Sequence, residues 1–253
     1  MKRFLVSSVL LSAAALLPAQ TNTSAANAAD YGWGHKATTV VSGATSSQYW
    51  FVLRAIPGRC YCVETANFEG SYGDKNVDTI IDVYRQDQTT LITENDDTLE
   101  EPPSFFFSRA CWIHNFPIEN IYVRVSPNAP TVPTSAIQVR FVETTLFCPW
   151  FFIAGDYNAF SLIRNTSITD LPGVVVTWRG LNGAVAGSTT VTVPANGTVV
   201  LNARTFVNPA LFSNGSVEIA HAGSPEQLQG STTTLSGTTG LGFDAQFTQR
   251  KAW

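Results

Sequence analysis

A dense group of acidic residues is the first feature of this sequence with a potential chemical role. Carboxylates cluster in the first half of the chain, at Asp74, Asp78, Glu94, Asp96, Asp97, Glu100 and Glu101. Calcium takes about six to eight oxygen ligands from carboxylates and loop carbonyls, and an acidic turn between strands can supply them. The spacing does not match an EF-hand, and Asn95-Asp96-Asp97 equally predicts a solvated turn. The cluster is therefore a candidate site for structural calcium.

Nucleophilic catalysis would need a histidine placed beside a Ser or Cys nucleophile. The chain has three histidines, His35, His114 and His221, and neither G-x-S-x-G nor H-E-x-x-H occurs in it. We therefore expect a protein without catalytic residues. Because catalytic triads assemble from residues that are distant in sequence, a secreted hydrolase with a dispersed triad stays an alternative.

Aromatic residues offer a second kind of binding chemistry. They concentrate at Phe105-Phe106-Phe107, at Trp112 and in the run Phe147-Cys148-Pro149-Trp150-Phe151-Phe152. Most aromatic side chains of a β-sandwich pack in its core, but an exposed set can stack on sugar rings or form an adhesive patch. Consecutive residues of a strand face opposite sides, so three Phe in a row place at least one outward. We expect part of this aromatic set at the surface.

Four cysteines, Cys60, Cys62, Cys111 and Cys148, predict disulfides. In a strand Cys60 and Cys62 share a face, and a bond between them would close a loop that disulfide geometry disfavours. The remaining sets are 60–111 with 62–148, or 60–148 with 62–111. Either set would stabilise the fold by roughly 2–4 kcal/mol per bridge. The C-x-C spacing lacks the pattern of a zinc site.

The N-terminal segment, residues 1–28, is predicted to be a secretory signal peptide. Two basic residues precede an apolar run from Phe4 to Leu17, and Ala26-Asn27-Ala28 fits the A-x-A cleavage pattern. Ser24-Ala25-Ala26 is a usable alternative cleavage motif. The run is about 14 residues long and a membrane span needs roughly 20, so we expect no transmembrane segment in the mature chain. Export to an extracellular or periplasmic location also agrees with disulfide formation.

Composition excludes several classes of protein. With 44% hydrophobic and 13% charged residues, 18 Gly and 13 Pro, the chain is neither a disordered acidic tail nor a collagen or coiled coil. Without Lys2 and Arg3, 13 basic residues remain against 19 acidic ones, a net charge of −6. Nucleic acid is therefore not an expected partner, because phosphate binding needs a basic face.

Short apolar runs between turn signals predict an all-β protein. They lie at residues 49–53, 60–63, 79–84, 121–125, 136–141, 160–164, 174–179, 190–193, 199–201 and 217–221. Several alternate with period two, and none carries an apolar stripe of helical period. Leu181-Asn182-Gly183 and Pro194-Ala195-Asn196-Gly197 predict hairpin turns. The spacing predicts two antiparallel β-sandwich domains, at residues 38–146 and 147–253, after an N-terminal arm at residues 29–37.

The first of these segments resembles bacterial pre-peptidase C-terminal domains. The resemblance covers about residues 38–143 and depends most on the strand Asp78-Thr79-Ile80-Ile81-Asp82-Val83-Tyr84 and the turn Asn95-Asp96-Asp97. Such domains are small jelly-roll sandwiches that accompany secreted peptidases and other exported proteins as non-catalytic accessories. The resemblance therefore implies a jelly-roll-like fold and an attachment role. It also makes Asp78, Asp96 and Asp97 the expected calcium ligands.

The second segment resembles an immunoglobulin-like module of secreted bacterial proteins. The segments that carry the resemblance are Arg164-Asn165-Thr166-Ser167, Thr177-Trp178-Arg179, Asn202-Ala203-Arg204 and Thr239-Gly240-Leu241-Gly242-Phe243-Asp244. It implies a fold more than an activity. In a sandwich of this kind Trp178 would be a core residue of a central strand.

These features together predict a secreted, non-catalytic accessory or binding module. Its expected partner is an extracellular polymer, a cell surface or another protein, and the one cofactor considered is structural calcium. Besides the dispersed-triad hydrolase, a second alternative is a structural subunit of a surface layer or filament. Such a subunit would self-associate through exposed sheet edges.

Overall fold

The computed structural model describes residues 22–41, 48–67, 77–97, 107–128 and 135–249. Most of the predicted signal peptide lies outside these residues, as do Asp74, Glu100, Glu101, Phe105 and Phe106. Within the described ranges, no helix is long and apolar enough to cross a membrane.

The first half of the chain forms two sheets, which we call the first sandwich. Its strands are β1 (Ala29–Asp30), β2 (Lys36–Val41), β3 (Tyr49–Ala55), β4 (Cys60–Asn67), β5 (Thr79–Tyr84), β6 (Leu91–Asn95), β7 (Arg109–Ile113), β8 (Glu119–Pro127) and β9 (Ser135–Glu143). One sheet has the order β1-β3-β8-β5-β6 and the other β2-β9-β4-β7. The short β1 pairs with β3 in parallel, and the other pairings are antiparallel.

The second half forms the second sandwich. Its elements are β10 (Leu146–Phe152), β11 (Tyr157–Asn165), β12 (Leu171–Gly180), β13 (Val185–Val193), β14 (Thr198–Asn202), the short helix α1 (Ala203–Phe206), β15 (Asn214–Ala220), β16 (Leu228–Ser236), β17 (Gly242–Gln246) and β18 (Thr248–Gln249). The sheet orders are β13-β12-β15-β10-β18 and β14-β11-β16-β17. All of these pairings are antiparallel.

Each sandwich has its own core, because alternating apolar residues of its two sheets face each other. In β8, Ile121, Val123 and Val125 are buried, while the residues between them are partly exposed. One cluster combines residues of β3, β4, β5, β8 and β9, and a second combines residues of β11, β12, β15 and β16. Trp178 lies fully buried in the second cluster, as predicted. The all-β antiparallel sandwich fold is therefore confirmed.

The two predicted hairpin turns have different outcomes. The turn at Leu181-Asn182-Gly183 joins the paired strands β12 and β13, and Gly183 adopts a φ of 79° there. The prediction of a hairpin at residues 194–197 is wrong, because β14 leaves the sheet of β13 and pairs with β11. Leu201 of β14 packs into the shared core from the opposite sheet. The local turn signal does not decide which sheet the next strand joins.

The predicted N-terminal arm packs against the first sandwich. Trp33 stacks on Tyr61 with ring centroids 4.1 Å apart, and its indole N–H donates to the Arg54 carbonyl at 2.7 Å. Upstream, the Asn22 side chain donates to the Trp50 carbonyl at 3.0 Å, and the Trp50 N–H donates to the Asn22 carbonyl at 2.8 Å. Residues on both sides of the predicted cleavage point therefore contact β3.

Candidate functional site

The four cysteines form one disulfide, Cys62–Cys111, and leave two buried free thiols. Cys62 and Cys111 lie directly opposite each other in the β4–β7 pairing, with Cα atoms 4.1 Å apart. The prediction of two bridges is therefore corrected. The 62–111 pairing is formed, whereas Cys60 and Cys148 stay unbridged.

The two free thiols face different surroundings. The Cys60 Sγ lies 3.6 Å from the Thr145 hydroxyl, where the sandwiches meet, while Cys148 belongs to the core of the second sandwich. Burial raises the pKa of the Cys60 thiol, and hydrogen bonds from Thr144, His221 and Thr145 act against this shift. A thiol that is buried and protonated is a poor nucleophile.

Two of the three histidines are buried. His114 has no exposed surface, and its Nε2 lies 3.1 Å from the Pro117 carbonyl oxygen. His221 is 1% exposed, and burial lowers its pKa to about 4. The backbone N–H of Gly223 donates to His221 Nδ1 at 3.2 Å. Both rings therefore contact backbone groups inside the protein, and the absence of a catalytic site stays a prediction.

The predicted calcium ligands lie close together at the ends of two neighbouring strands, Asp78 before β5 and Asp96 and Asp97 after β6. The side-chain amide of Asn128 donates to Asp78 Oδ2 at 3.3 Å and to Asp96 Oδ2 at 3.2 Å. Burial, and then the charges of Asp97 and Asp96, raise the pKa of Asp78, although the bond from Asn128 lowers it. Burial and the Asp96 charge also raise the pKa of Asp97.

Proximity does not give these carboxylates the arrangement of a metal site. Among the described residues, no group of three or more His, Cys, Asp or Glu could hold a metal ion. One oxygen of Asp78, Oδ1, is nevertheless buried without a hydrogen-bond partner. Calcium binding by Asp78, Asp96 and Asp97 stays a prediction.

Four aromatic residues form a connected set at one end of the second sandwich. We call Trp150, Phe152, Tyr157 and Phe243 the aromatic row. The rings of Trp150 and Phe152 are stacked within 11° of parallel, with centroids 6.2 Å apart. Tyr157 lies 5.3 Å from Phe152 and 6.3 Å from Phe243, again between centroids. Trp150 is 37% exposed and Phe243 is 45% exposed, so both ends of the row reach solvent.

The local backbone explains why Trp150 and Phe243 are exposed. The pairing of β10 with β15 shifts register between Cys148 and Phe151, so Pro149 and Trp150 are turned outward while Phe151 stays in the core. Phe243 lies on the edge strand β17, which has β16 on one side only among the described strands. The row thus combines a bulge with a sheet edge.

Polar contacts fix the turn that carries the row. The Arg204 guanidinium donates through Nη2 to the carbonyls of Ile153 and Gly155 at 2.7 Å and of Tyr157 at 2.8 Å. Asn202 caps α1 by accepting a hydrogen bond from the Arg204 N–H, which places this arginine at the start of the helix. The cationic side chain therefore satisfies several turn carbonyls and holds Tyr157 in place.

A second set of contacts ties the turn to the loop before β17. Asp156 Oδ2 accepts hydrogen bonds from the Ser236 hydroxyl at 2.6 Å and from the Thr238 N–H at 3.0 Å. These bonds lower the pKa of Asp156. The turn between β10 and β11 is thereby joined to the loop between β16 and β17.

The remaining predicted aromatics are mainly structural. Phe107, Trp112 and Phe151 are buried. The sequence predicted the Trp150 and Phe152 part of the row but missed Tyr157 and Phe243, which are single aromatics in polar segments. Arg204 stood in a motif-like segment, yet no local signal linked it to the aromatic run.

A polar cleft of about 350 Å³ lies between the sandwiches. Its lining includes Glu94, Asp97 and Arg109 from the first sandwich and Asp170, Ser224 and Gln227 from the second. Arg109 donates to Glu64 at 2.5 Å and to the Ser224 hydroxyl at 3.0 Å, so its guanidinium connects the two sandwiches. The described lining contains no aromatic side chain and offers no stacking surface.

Comparisons with known proteins add little information about function to this geometry. No family model and no curated protein matches the chain. A solved β-glucuronidase of glycoside hydrolase family 2 is 11% identical, with 79% of this chain and 24% of that chain covered, at a TM-score of 0.20. The Bacteroides uniformis β-glucuronidase is 8% identical, with 80% and 26% covered, at a TM-score of 0.21.

The extracellular region of zebrafish Gpr126/Adgrg6 is also similar at this low level. It is 7% identical, with 89% of this chain and 34% of that chain covered, at a TM-score of 0.22. The chain thus spans about a quarter to a third of the solved chains named here. These similarities support no functional conclusion, and the two family resemblances stay predictions.

Proposed function

We propose that this protein is a secreted, non-catalytic module that binds an extracellular polysaccharide through its aromatic row. The observation that carries the proposal is the connected set of rings with both ends exposed. Adjacent centroids in this set lie 5.3–6.3 Å apart. Aromatic rings present flat apolar surface to a ligand, and the apolar faces of sugar rings are suited to stack on such surface.

The hydrogen bonds that order the turn next to the aromatic row favour a binding role for this exposed apolar surface. Arg204 and Asp156 hold the turn of residues 153–157 through the hydrogen bonds described above. A surface that is already ordered loses less conformational entropy when a ligand binds. The row is thus suited to binding a rigid polymer without rearrangement.

Secretion is supported by the leader features of residues 1–28 and by the Cys62–Cys111 disulfide, since disulfides persist in oxidising compartments. In this proposal the first sandwich has the accessory role that its resemblance to pre-peptidase C-terminal domains implies. Calcium at Asp78, Asp96 and Asp97 would stabilise that sandwich and take no direct part in sugar binding.

A cell-envelope protein or lipid surface is a second candidate partner. Leu241, two residues before Phe243 in the chain, is 65% exposed and extends the apolar character of this end. Contiguous exposed apolar surface of this kind marks protein or membrane interaction sites. The same aromatic residues would then contact a less polar partner.

Retention of the purified protein on insoluble polysaccharides and envelope fractions tests the proposal. We expect saturable retention that soluble oligosaccharide competes away. Trp150→Ala and Phe243→Ala should each weaken it about fivefold, which corresponds to roughly 1 kcal/mol. Leu181→Ala is the matched control, because Leu181 is 76% exposed in the same sandwich but lies at the β12–β13 turn.

The alternatives predict different results. Retention on the envelope that no oligosaccharide competes away, but that the Trp150→Ala and Phe243→Ala variants lose, would favour the protein or lipid partner. Equal retention of all variants would show that the aromatic row is not the binding surface. Turnover of glycoside, ester or peptide substrates would instead support the hydrolase.

A further inference from the structure

One side of the second sandwich is made of uncharged edge strands. From Gly180 to Ala203 the sequence contains no Asp, Glu, Lys, Arg or His. This stretch includes β13, which has nine residues and no proline, and β14. Among the described strands, β13 pairs only with β12, and β14 pairs only with β11. Both sheets of the second sandwich therefore end in an uncharged strand.

The other edge strands of three or more residues carry charge. Charged residues on the outer strands of the described sheets include Lys36 of β2, Glu94 of β6, Arg109 of β7 and Asp244 of β17. Charged side chains on an edge oppose pairing with another strand, because pairing would bring them close to a second chain and desolvate them. Strands β13 and β14 lack this protection, although the same chain uses it elsewhere.

The core is incompletely covered along the uncharged side. Val191 of β13 and Val199 of β14 pack against the core of the second sandwich but are only partly buried. Val185 and Val200, on the same two strands, are each 56% exposed. A strand added along this side would remove apolar surface from water and would satisfy the edge N–H and C=O groups of β13.

We propose that a second copy of this chain occupies this side, with β13 of each copy paired in antiparallel about a two-fold axis. The whole chain carries a formal net charge of −4, so two copies repel each other over much of their surface. The uncharged side is where they can approach without that repulsion. A two-fold axis makes the interface self-complementary and closes it after two copies.

This dimer is independent of the aromatic row and does not require polysaccharide binding. Equilibrium sedimentation of the processed protein without ligand tests it, over concentrations up to the order of 100 µM. We expect a mass of two chains at the upper end. Hydrogen exchange at residues 185–193 should become slower as the dimer forms.

Charge placed on the edge should separate the copies. Thr190 and Thr192 are exposed on β13, so the double variant with Thr190→Lys and Thr192→Lys should fold normally and associate at least tenfold more weakly. The matched control adds the same two charges on strands that do not pair with β13 or β14, by Gln229→Lys on β16 and Gln246→Lys on β17, both at exposed positions of the same sandwich. It should keep the wild-type dimerisation constant.

Two results would overturn the proposal. Wild-type protein that stays monomeric across the whole concentration range has no such interface. Wild-type dimers that persist in the β13 variant, without slowed exchange at residues 185–193, associate through a different surface.

Discussion

The two sandwiches share a strand-rich architecture but are stabilised differently. The first sandwich contains the Cys62–Cys111 disulfide and a set of Arg–carboxylate pairs that includes Arg59–Glu143, Arg85–Glu119, Arg109–Glu64 and Arg124–Asp82. The described part of the second sandwich contains one such pair, Arg179–Glu218. Its core depends instead on apolar packing around Trp178, on which Phe206 stacks at 5.1 Å.

The difference suggests a division of roles. The carboxylates of Glu64, Asp82 and Glu143 are nearly buried, so each depends on its arginine partner to avoid an uncompensated charge. Such pairs join segments of the first sandwich through charged contacts. The second sandwich has few charges along its β13 and β14 side and exposes aromatic rings at one end. It is therefore the half that is suited to contact other molecules.

Loss of the disulfide is the strongest test of this comparison. The double variant Cys62→Ala with Cys111→Ala should lower the free energy of unfolding of the first sandwich by about 4 kcal/mol, since the bridge spans 49 residues. Denaturant titration combined with segment-resolved hydrogen exchange would locate the loss. We expect strands β10–β17 to keep their protection.

Reductant provides the control for that variant. It should destabilise the wild-type protein by a similar amount and leave the variant unchanged. An equal loss of protection in both sandwiches would mean that they unfold as one cooperative unit, and the proposed division would fail.

Low pH should destabilise the protein at the contact between the two sandwiches. His221 follows β15, and its backbone hydrogen-bonds to Cys60 of the first sandwich. Because burial lowers the His221 pKa from 6.5 to about 4, the folded protein favours the neutral ring. The resulting stability is fully present above pH 6.5 and is lost as the pH falls towards 4. Between pH 7 and 4.5 the loss should be about 2–3 kcal/mol.

Urea titration across this pH range measures the effect. The His221→Gln variant should be less stable at pH 7 but should lose much less stability on acidification. His35→Gln is the control, because His35 is exposed and its replacement should leave the pH dependence unchanged. A wild-type slope that persists in His221→Gln would assign the acid sensitivity to other groups.

The fold could be predicted from the sequence where apolar residues alternate. Each of the ten predicted runs lies within an observed strand, except that His221 follows the end of β15. Strand β16 was missed because its Thr and Ser residues carry little hydrophobic pattern, although Thr232 and Thr234 are buried. The aromatic run of β10 was noted for its chemistry but not assigned as a strand. Its bulge interrupts the alternation.

The candidate site could not be predicted from short stretches of sequence, because it depends on contacts between segments that are distant in the chain. The sequence left two disulfide sets open, and the structure forms neither in full, because the register pairs Cys62 with Cys111 while Cys60 and Cys148 stay unbridged. Likewise, the turn at residues 153–156 and the β16–β17 connection bring Tyr157 and Phe243 to the end that carries Trp150. Contacts between segments so far apart in the chain arise from the topology, so no local pattern could have predicted them.

The smallest expected effect on stability concerns Asp78, Asp96 and Asp97 of the first sandwich. These carboxylates lie close to one another, unlike the carboxylates of the same sandwich that pair with arginine. A raised pKa means that the folded state holds the proton more tightly, so stability is lost as pH rises through the folded pKa of Asp78. Without calcium, Asp78→Asn should therefore stabilise the protein at pH 7, by about 1 kcal/mol or less because the site is partly screened by solvent. Asp30→Asn, at an exposed position of β1, is the control and should have little effect.

Calcium makes this test more decisive, because with calcium bound the Asp78→Asn substitution would destabilise the protein instead of stabilising it. Added calcium should raise the melting temperature of the wild-type protein and of Asp30→Asn, since a ligand that binds only the folded state stabilises it. Asp78→Asn should respond weakly, because it has lost a charged oxygen ligand. If calcium leaves the wild-type melting temperature unchanged while Asp78→Asn still stabilises the protein, the cluster is an uncompensated group of carboxylates rather than a metal site.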